Sequence, residues 1–296
     1  SMIFLVSGIS FAQDKAKEEV REGGHNNTNK FRQLYQEFST PNQYRTASGA
    51  PGHAYYQQKA DYKINLELDD VNQKISGEET ITYTNNSPDD LEYLWLQLDQ
   101  NIRAKDSQSH LKDGGGVPAA DQPGTFVGKH FDAKFDGGFN IQHVKDANGK
   151  AMKYVINQTM MRVDIAKPLK AGEKISFSIK WWYNINDHVN GRGRSGYEYF
   201  KKDDNYSYVI AQFFPRMCVY NDVEGWQNYQ FWGNGEFALA FGDYDVNITV
   251  PADHIVDGTG ELQNRKEVFS KTMMNRYKKA RKSFDKPVMI VTQDEA

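Results

Sequence analysis

Disulfide chemistry is absent from this sequence, because Cys218 is the only cysteine among 296 residues. A single thiol forms no intrachain disulfide, so stability has to come from core packing. An excess of one charge is also missing, since 36 lysines and arginines accompany 39 aspartates and glutamates, a formal net charge of −3. No general attraction to nucleic acid or to anionic lipid is therefore built in.

Long hydrophobic runs are missing too. The apolar segment 3–11 is roughly 15 Å long as a helix, too short for a hydrocarbon core of about 30 Å. It ends in Ser10-Phe11-Ala12, with small residues where a signal peptidase reads. We interpret residues 1–12 as the remnant of a secretory signal and expect a secreted or periplasmic protein without a membrane span. The alternative is an N-terminal helix that packs on the domain.

Several catalytic motifs do not occur. H-E-x-x-H, which places two imidazoles one helical turn apart on a zinc ion, is absent, and no two of the seven histidines have that spacing. Gly-x-Ser-x-Gly is absent as well. Carboxylate pairs such as Asp69-Asp70 fall in predicted turns, where solvated aspartates are common. We therefore predict no catalytic residue, no metal site and no bound cofactor in this chain.

Alternating patterns dominate the rest of the chain. Residues 13–52 read as a polar leader with one possible helix over 29–38, and residues 53–296 as a β domain. Period-two alternation predicts a hairpin of strands at 64–69 and 78–84, and a strand at 175–183 with one apolar face. Residues 91–98 are apolar on both faces, which favours a central strand under a second layer.

The pattern continues to the end of the chain. We predict a long irregular loop at one rim over 105–138 and a tight turn at Asn148-Gly149. Further strands are expected at 139–144, 152–156, 161–165, 237–241, 244–250 and 287–292, with a helix at 264–283 between the last two. The expected fold class is all-β, an antiparallel β-sandwich with long rim loops and a C-terminal helix.

The most informative stretch is 191–222. It combines a Gly/Arg turn, an apolar strand predicted over 208–211, a polar Gln212, and the corner Phe213-Phe214-Pro215-Arg216. Apolar pockets gain orientation from a few convergent polar groups, so this pattern indicates the wall of a binding cleft. The alternative is an ordinary corner that terminates strand pairing.

The same stretch carries a family resemblance. Gly191-x-x-Arg194-Ser195-x-Tyr197, Ala211-Gln212-Phe213, Pro215-Arg216 and Asp222 occur in this order. They are similar to G-F-Y-R-S-x-Y, T-Q-F-E-P-x-x-A-R and F-P-C-x-D-E-P in the N-terminal domain of the aminopeptidase N-like (gluzincin) zinc metallopeptidases. The resemblance covers roughly residues 55–264.

The resemblance implies a saddle-shaped β-sandwich that closes one side of a peptide-substrate cleft. Zinc, its ligands and the general base would belong to a downstream catalytic domain of the parent protein, and this fragment alone would be inactive. The implied substrate-binding residues are Gln212, Phe213, Phe214 and Arg216.

One departure concerns the residue that pairs with the α-amine of the substrate. In the family a glutamate, or in some members a glutamine, follows T-Q-F, and a carboxylate there suits an ammonium group. Phe214 occupies that position here. Either Gln212 or a group outside the chain reads the amine, or the parent has altered its specificity.

Two further hypotheses remain open. The chain is an aromatic-rich binding module for glycans or peptides, which predicts an exposed row formed by Trp181, Trp182, Trp226 and Trp232. Alternatively, the parent keeps the fold but has lost its zinc and serves as a scaffold.

Overall fold

A computed structural model describes residues 41–109, 135–191, 195–233 and 237–292, together with residues 120, 123, 235, 294 and 295. The strands in these ranges are β1 Lys59–Asp69, β2 Lys74–Thr84, β3 Leu91–Gln97, β4 Asn140–Asp146, β5 Tyr154–Asn157, β6 Met160–Leu169, β7 Lys174–Asn184, β8 Gly196–Phe200, β9 Asn205–Val209, β10 Arg216–Met217, β11 Tyr220–Asn221, β12 Gly225–Trp226 and β13 Tyr244–Thr249. The helices are a 3-10 helix, Asp99–Arg103, and α1 His188–Gly191, α2 Arg265–Val268 and α3 Lys271–Ala280.

Two sheets pack face to face. The larger has the strand order β13-β1-β2-β7-β4, and the smaller has the order β10-β3-β6-β5. Buried residues of both sheets belong to one hydrophobic cluster, so the core lies between them. The prediction of an all-β sandwich is confirmed. One pair departs from the antiparallel pattern, because β13 runs parallel to β1.

The first hairpin follows the predicted alternation. Ile64 and Leu66 of β1 face the core while their chain neighbours Lys63 and Asn65 are exposed. The turn into β2 is stabilised by Asp69, whose Oδ1 accepts a hydrogen bond from the Asn72 backbone nitrogen at 2.9 Å. Local polar and apolar order is sufficient to specify this unit.

The central strand predicted over 91–98 and the strand predicted over 175–183 are also confirmed. β3 lies between β10 and β6, and its leucines are buried. β7 lies between β2 and β4 and buries Phe177, Ile179, Trp181 and Tyr183 on one face. β3 and β7 thus lie inside the two sheets that face each other across the core.

Several local predictions need correction. The turn at Asn148-Gly149 is present, with Gly149 at φ 79°, but β4 and β5 on its two sides enter different sheets. In place of a strand at 237–241, Phe241 makes an isolated bridge to Lys59. Residues 287–292 do not form the predicted strand.

The predicted helix over 264–283 is divided in two. Phe269 takes an extended conformation after α2, and Ser270 begins α3 as its N-cap. The Ser270 hydroxyl accepts a hydrogen bond from the Met273 backbone nitrogen at 3.2 Å. A capping serine in the middle of a helical pattern therefore restarts the helix.

Other expectations lie outside the described residues. They include the signal remnant 1–12, the possible helix 29–38, most of the rim loop 105–138, and the Arg-rich part of the turn at 191–196. The boundaries of the leader and of the β domain remain predictions.

Gly77 makes room for the Trp181 indole at the centre of the larger sheet. A Cβ at Gly77 would lie 2.4 Å from Trp181 Cζ2, and the Trp181 side chain is 1% exposed. Because a buried indole has little space to move, we expect Gly77→Ala to lower the free energy of unfolding by about 1–3 kcal/mol. Urea denaturation measures this change in the free energy of unfolding.

Thr80→Ala is the matched control, because Thr80 is exposed on the opposite face of the same strand. We expect the control to shift the unfolding midpoint much less than Gly77→Ala. Equal midpoints for Gly77→Ala and the unmodified chain would mean that the indole moves aside without cost.

Candidate functional site

The four predicted site residues lie in residues 211–216, here named the corner, which joins β9 to β10. β8 and β9 form a two-stranded sheet of their own, whereas β10 pairs with β3 through Arg216 opposite Gln97 and Met217 opposite Leu96. The buried strand predicted over 208–211 is wrong. β9 ends at Val209 and is largely exposed, because a hairpin outside the two main sheets covers the core with one side only.

Gln212 has an unusual backbone. Its φ is 53°, and the other described non-glycine residues with positive φ, Gln73, Gln158 and Asp204, lie in turns. A left-handed conformation for such a residue costs on the order of 1–3 kcal/mol, and it persists where the surroundings determine it. Contacts from the surrounding structure must therefore hold Gln212 in this conformation.

The 3-10 helix holds the corner through Gln100. The Gln100 Nε2 atom donates to the carbonyl oxygens of Ala211 at 2.9 Å and Gln212 at 3.0 Å. Gln100 is 1% exposed, and its Oε1 accepts a hydrogen bond from Arg103 Nη1 at 3.1 Å. A buried amide with both of its ends engaged is a rigid support for the backbone it touches.

Arg216 is held by the same helix. Its Nε and Nη2 atoms donate to the two carboxylate oxygens of Asp99 at 2.8 and 2.7 Å. Burial raises the pKa of the Asp99 carboxyl, and the adjacent Arg216 guanidinium opposes that shift. This bidentate geometry fixes the end of the corner. Contact between Arg216 and a substrate stays a prediction.

The two phenylalanines connect the corner to the core. Their rings are 4.9 Å apart, and the Phe214 ring lies edge-on to Tyr62 at 5.3 Å. Tyr62 stacks on Tyr244 of β13 at 4.9 Å, and its hydroxyl accepts a hydrogen bond from the Met217 backbone nitrogen at 2.9 Å. Phe213 and Phe214 are half-buried. The corner therefore has an aromatic wall with a rigid base.

Glu79 lies beneath this wall and has no hydrogen-bond partner. It is 0% exposed on the core face of β2, and both carboxylate oxygens are buried and unpaired. Burial raises the pKa of Glu79 well above its usual range. Its charge also contributes to the raised pKa of Tyr62 and of Tyr244, for which burial is the main cause.

Sequence reasoning pointed to the corner, whose role as a site stays a prediction, and did not point to Asp99, Gln100 or Glu79. Glu79 carried a usable signal, because it interrupts an alternation in which Ile75, Ile81 and Tyr83 all face the core. Asp99 and Gln100 follow a strand as ordinary polar residues, and their partners are more than a hundred positions away.

The exposed tryptophan row required by the binding-module hypothesis is not formed. Trp181 is 1% exposed and packs against Phe139 at 5.3 Å. Trp182 lies under Lys74, whose Nζ is 4.2 Å from the ring centroid, and Trp226 packs between Tyr83 and Tyr220. These three indoles pack in the core or at its margins, and Trp232 is half-buried.

Among the side chains that the structure describes, no group of three or more His, Cys, Asp or Glu could hold a metal ion. Cys218 is buried, and burial raises the pKa of its thiol, which disfavours the reactive thiolate. None of the described helices is long and apolar enough to cross a membrane.

Comparison with known proteins gives structural similarity only. No protein-family model and no curated protein match the chain. An M1 zinc metallopeptidase mutant from Deinococcus radiodurans, bound to a Tyr-Ser-Ala substrate, is similar with a TM-score of 0.37 and 14% identity over 73% of this chain and 38% of that chain. The M1 zinc metallopeptidase from the same organism gives 0.37 and 13% over 72% and 37%.

Native leukotriene A4 hydrolase from Saccharomyces cerevisiae gives a TM-score of 0.26 and 11% identity over 43% of this chain and 15% of that chain. The chain thus spans 38% and 37% of the length of the two M1 structures. Similarity at this level does not assign a family to the chain.

Proposed function

We propose that this chain is the N-terminal cleft-wall and scaffold domain of a secreted or periplasmic zinc aminopeptidase. Hydrolysis at a free peptide N-terminus would be carried out by the parent protein, whose catalytic domain would follow this chain and hold the zinc. The ordered motifs over 191–222 support this role. The consecutive residues Gln212, Phe213 and Phe214 also support it, because they lie together in a corner whose backbone is held by buried side chains.

The observation that carries the proposal is the backbone of Gln212. Its positive φ, held by two hydrogen bonds from a buried amide, presents a polar residue next to an aromatic wall in a fixed orientation. A neutral amide oxygen at such a place accepts a hydrogen bond from an ammonium group, worth about 1.5–3 kcal/mol when one partner is charged. We assign this role to Gln212, because Phe214 occupies the position of the family's glutamate.

The coding sequence after Ala296 gives the first test. The proposal expects an H-E-x-x-H motif there, and a stop codon or a long reading frame without the motif would contradict it. The purified parent protein gives the second test, with aminoacyl-arylamides that carry either a free or an acetylated α-amine. We expect zinc-dependent cleavage of the free form alone, lost with a chelator and restored by zinc.

Gln212→Ala is expected to raise KM for the free-amine substrates by about tenfold or more, the equivalent of one charge-assisted hydrogen bond. Gln227→Ala is the control, since Gln227 lies outside the corner beyond β12. A parent protein that contains no zinc and cleaves no substrate would favour the metal-free scaffold.

A further inference from the structure

Gln100 contacts two consecutive carbonyl groups of the corner with one side-chain nitrogen. The Ala211 and Gln212 oxygens lie 2.9 and 3.0 Å from Gln100 Nε2, so both amide protons are directed at the same short piece of backbone. Consecutive carbonyls of extended backbone point in roughly opposite directions. The positive φ of Gln212 turns these two carbonyls toward one donor.

Gln100 itself has no freedom to follow the corner. It is 1% exposed, and Arg103 holds its oxygen at 3.1 Å. On the other side of the corner, Asp99 of the same 3-10 helix holds Arg216 with two hydrogen bonds. One short helix therefore fixes the corner at both ends, at Ala211 and Gln212 through Gln100 and at Arg216 through Asp99.

We infer that Gln100 is a positioning residue for recognition of the substrate's α-amine, acting through Gln212. This inference rests on the proposed function. Gln100 keeps the Gln212 backbone in its left-handed conformation, and this sets the direction in which the Gln212 side chain leaves the corner. Without the two hydrogen bonds, Gln212 relaxes to negative φ, as residues other than glycine prefer.

The first arm of the test is structural and needs this chain alone. Crystal structures of Gln100→Met and of Gln97→Met are compared, because both replace a buried glutamine by an unbranched side chain of similar size. Gln97 is the matched control, since its Nε2 atom has no hydrogen-bond partner. We expect negative φ at Gln212 in Gln100→Met and unchanged φ in Gln97→Met. A Gln212 that keeps positive φ in Gln100→Met overturns the inference.

The second arm is kinetic and uses the parent protein. Gln100→Met is expected to raise KM for free-amine aminoacyl-arylamides by roughly tenfold with kcat nearly unchanged, as expected for loss of uniform binding. In a Gln212→Ala background, Gln100→Met should raise KM hardly any further, because both substitutions remove the same contact between Gln212 and the α-amine. Additive effects, or an equal rise of KM in Gln97→Met, would show a merely structural role and overturn the inference.

The two arms separate the inference from the proposed function. A parent protein without aminopeptidase activity overturns the proposed function and the amine-reading role with it. The crystal structures still decide whether Gln100 sets the conformation of the corner.

Discussion

Replacing Arg216 by methionine is expected to lower the free energy of unfolding by about 3–5 kcal/mol, because it leaves the Asp99 carboxylate buried without its partner. The Asp99 side chain is 1% exposed, and both of its oxygens accept hydrogen bonds from Arg216. Water does not reach the carboxylate, so nothing replaces the lost guanidinium. Urea denaturation at pH 8 measures the loss.

The pH dependence of this variant has a definite sign. Burial raises the pKa of Asp99, and removal of Arg216 removes the largest of the influences that oppose this rise. A folded-state pKa above the unfolded value of about 3.9 means that stability is lost as pH rises above that value. The deficit of Arg216→Met relative to the unmodified chain should therefore grow between pH 4 and pH 8.

Two controls distinguish this cause from loss of packing. Arg162→Met breaks a pair with Asp164 in which both side chains are 43% exposed, so we expect a change below about 1 kcal/mol. Asp99→Leu combined with Arg216→Met removes both charges and should recover most of the lost stability. A double variant as unstable as Arg216→Met alone would show that the aliphatic part of Arg216, rather than the charge pair, holds the corner.

The strands that could be predicted from the sequence are those whose pattern is local. β1 and β2 alternate cleanly and are joined by a tight turn, and β7 carries five apolar residues in alternation on one face. The pairing of β13 could not be predicted in the same way. Its alternation fits either direction, and the parallel choice depends on β1, which lies about 180 positions away.

The contacts that hold the corner also could not be predicted from the sequence. The order of motifs singled out Gln212, Phe213, Phe214 and Arg216 as a predicted site, but it did not indicate the residues that hold them. Asp99 and Arg216 are separated by 117 positions, and Gln100 and Gln212 by 112. A polar residue after a strand looks the same in sequence whether it is solvated or buried against a distant backbone. The supporting contacts therefore become visible only when the two sheets are assembled.

The aromatic wall links the corner to the interior of the sandwich. Phe214 contacts Tyr62, Tyr62 stacks on Tyr244, and the charge of Glu79 acts on both tyrosines. A change in the ionisation of Glu79 would thus act on the two tyrosines that contact Phe214. We consequently expect the protonation state of Glu79 to have a large effect on stability.

Glu79→Gln is expected to remove a strong pH dependence of stability. The unfolded chain releases the Glu79 proton near pH 4.3, whereas burial raises the pKa of the folded carboxyl well above that value. The contribution of protonated Glu79 to the free energy of unfolding is therefore fully present below pH 4.3. It is lost as the pH rises toward the folded pKa, by at most about 1.4 kcal/mol per pH unit. The glutamine variant should therefore match the unmodified chain near pH 4 and exceed it increasingly toward pH 8.

Urea denaturation at several pH values measures this difference, with Glu78→Gln as the matched control. Glu78 is the preceding residue on β2, points to the opposite face, and its side chain is 49% exposed. We expect the control to leave the pH profile nearly unchanged, since the half-exposed Glu78 carboxylate is in contact with water in the folded chain as well as in the unfolded chain. Parallel profiles for Glu79→Gln and the unmodified chain would instead mean that Glu79 is ionised in the folded chain and held by a cationic partner, because a buried carboxylate without one is too costly to persist.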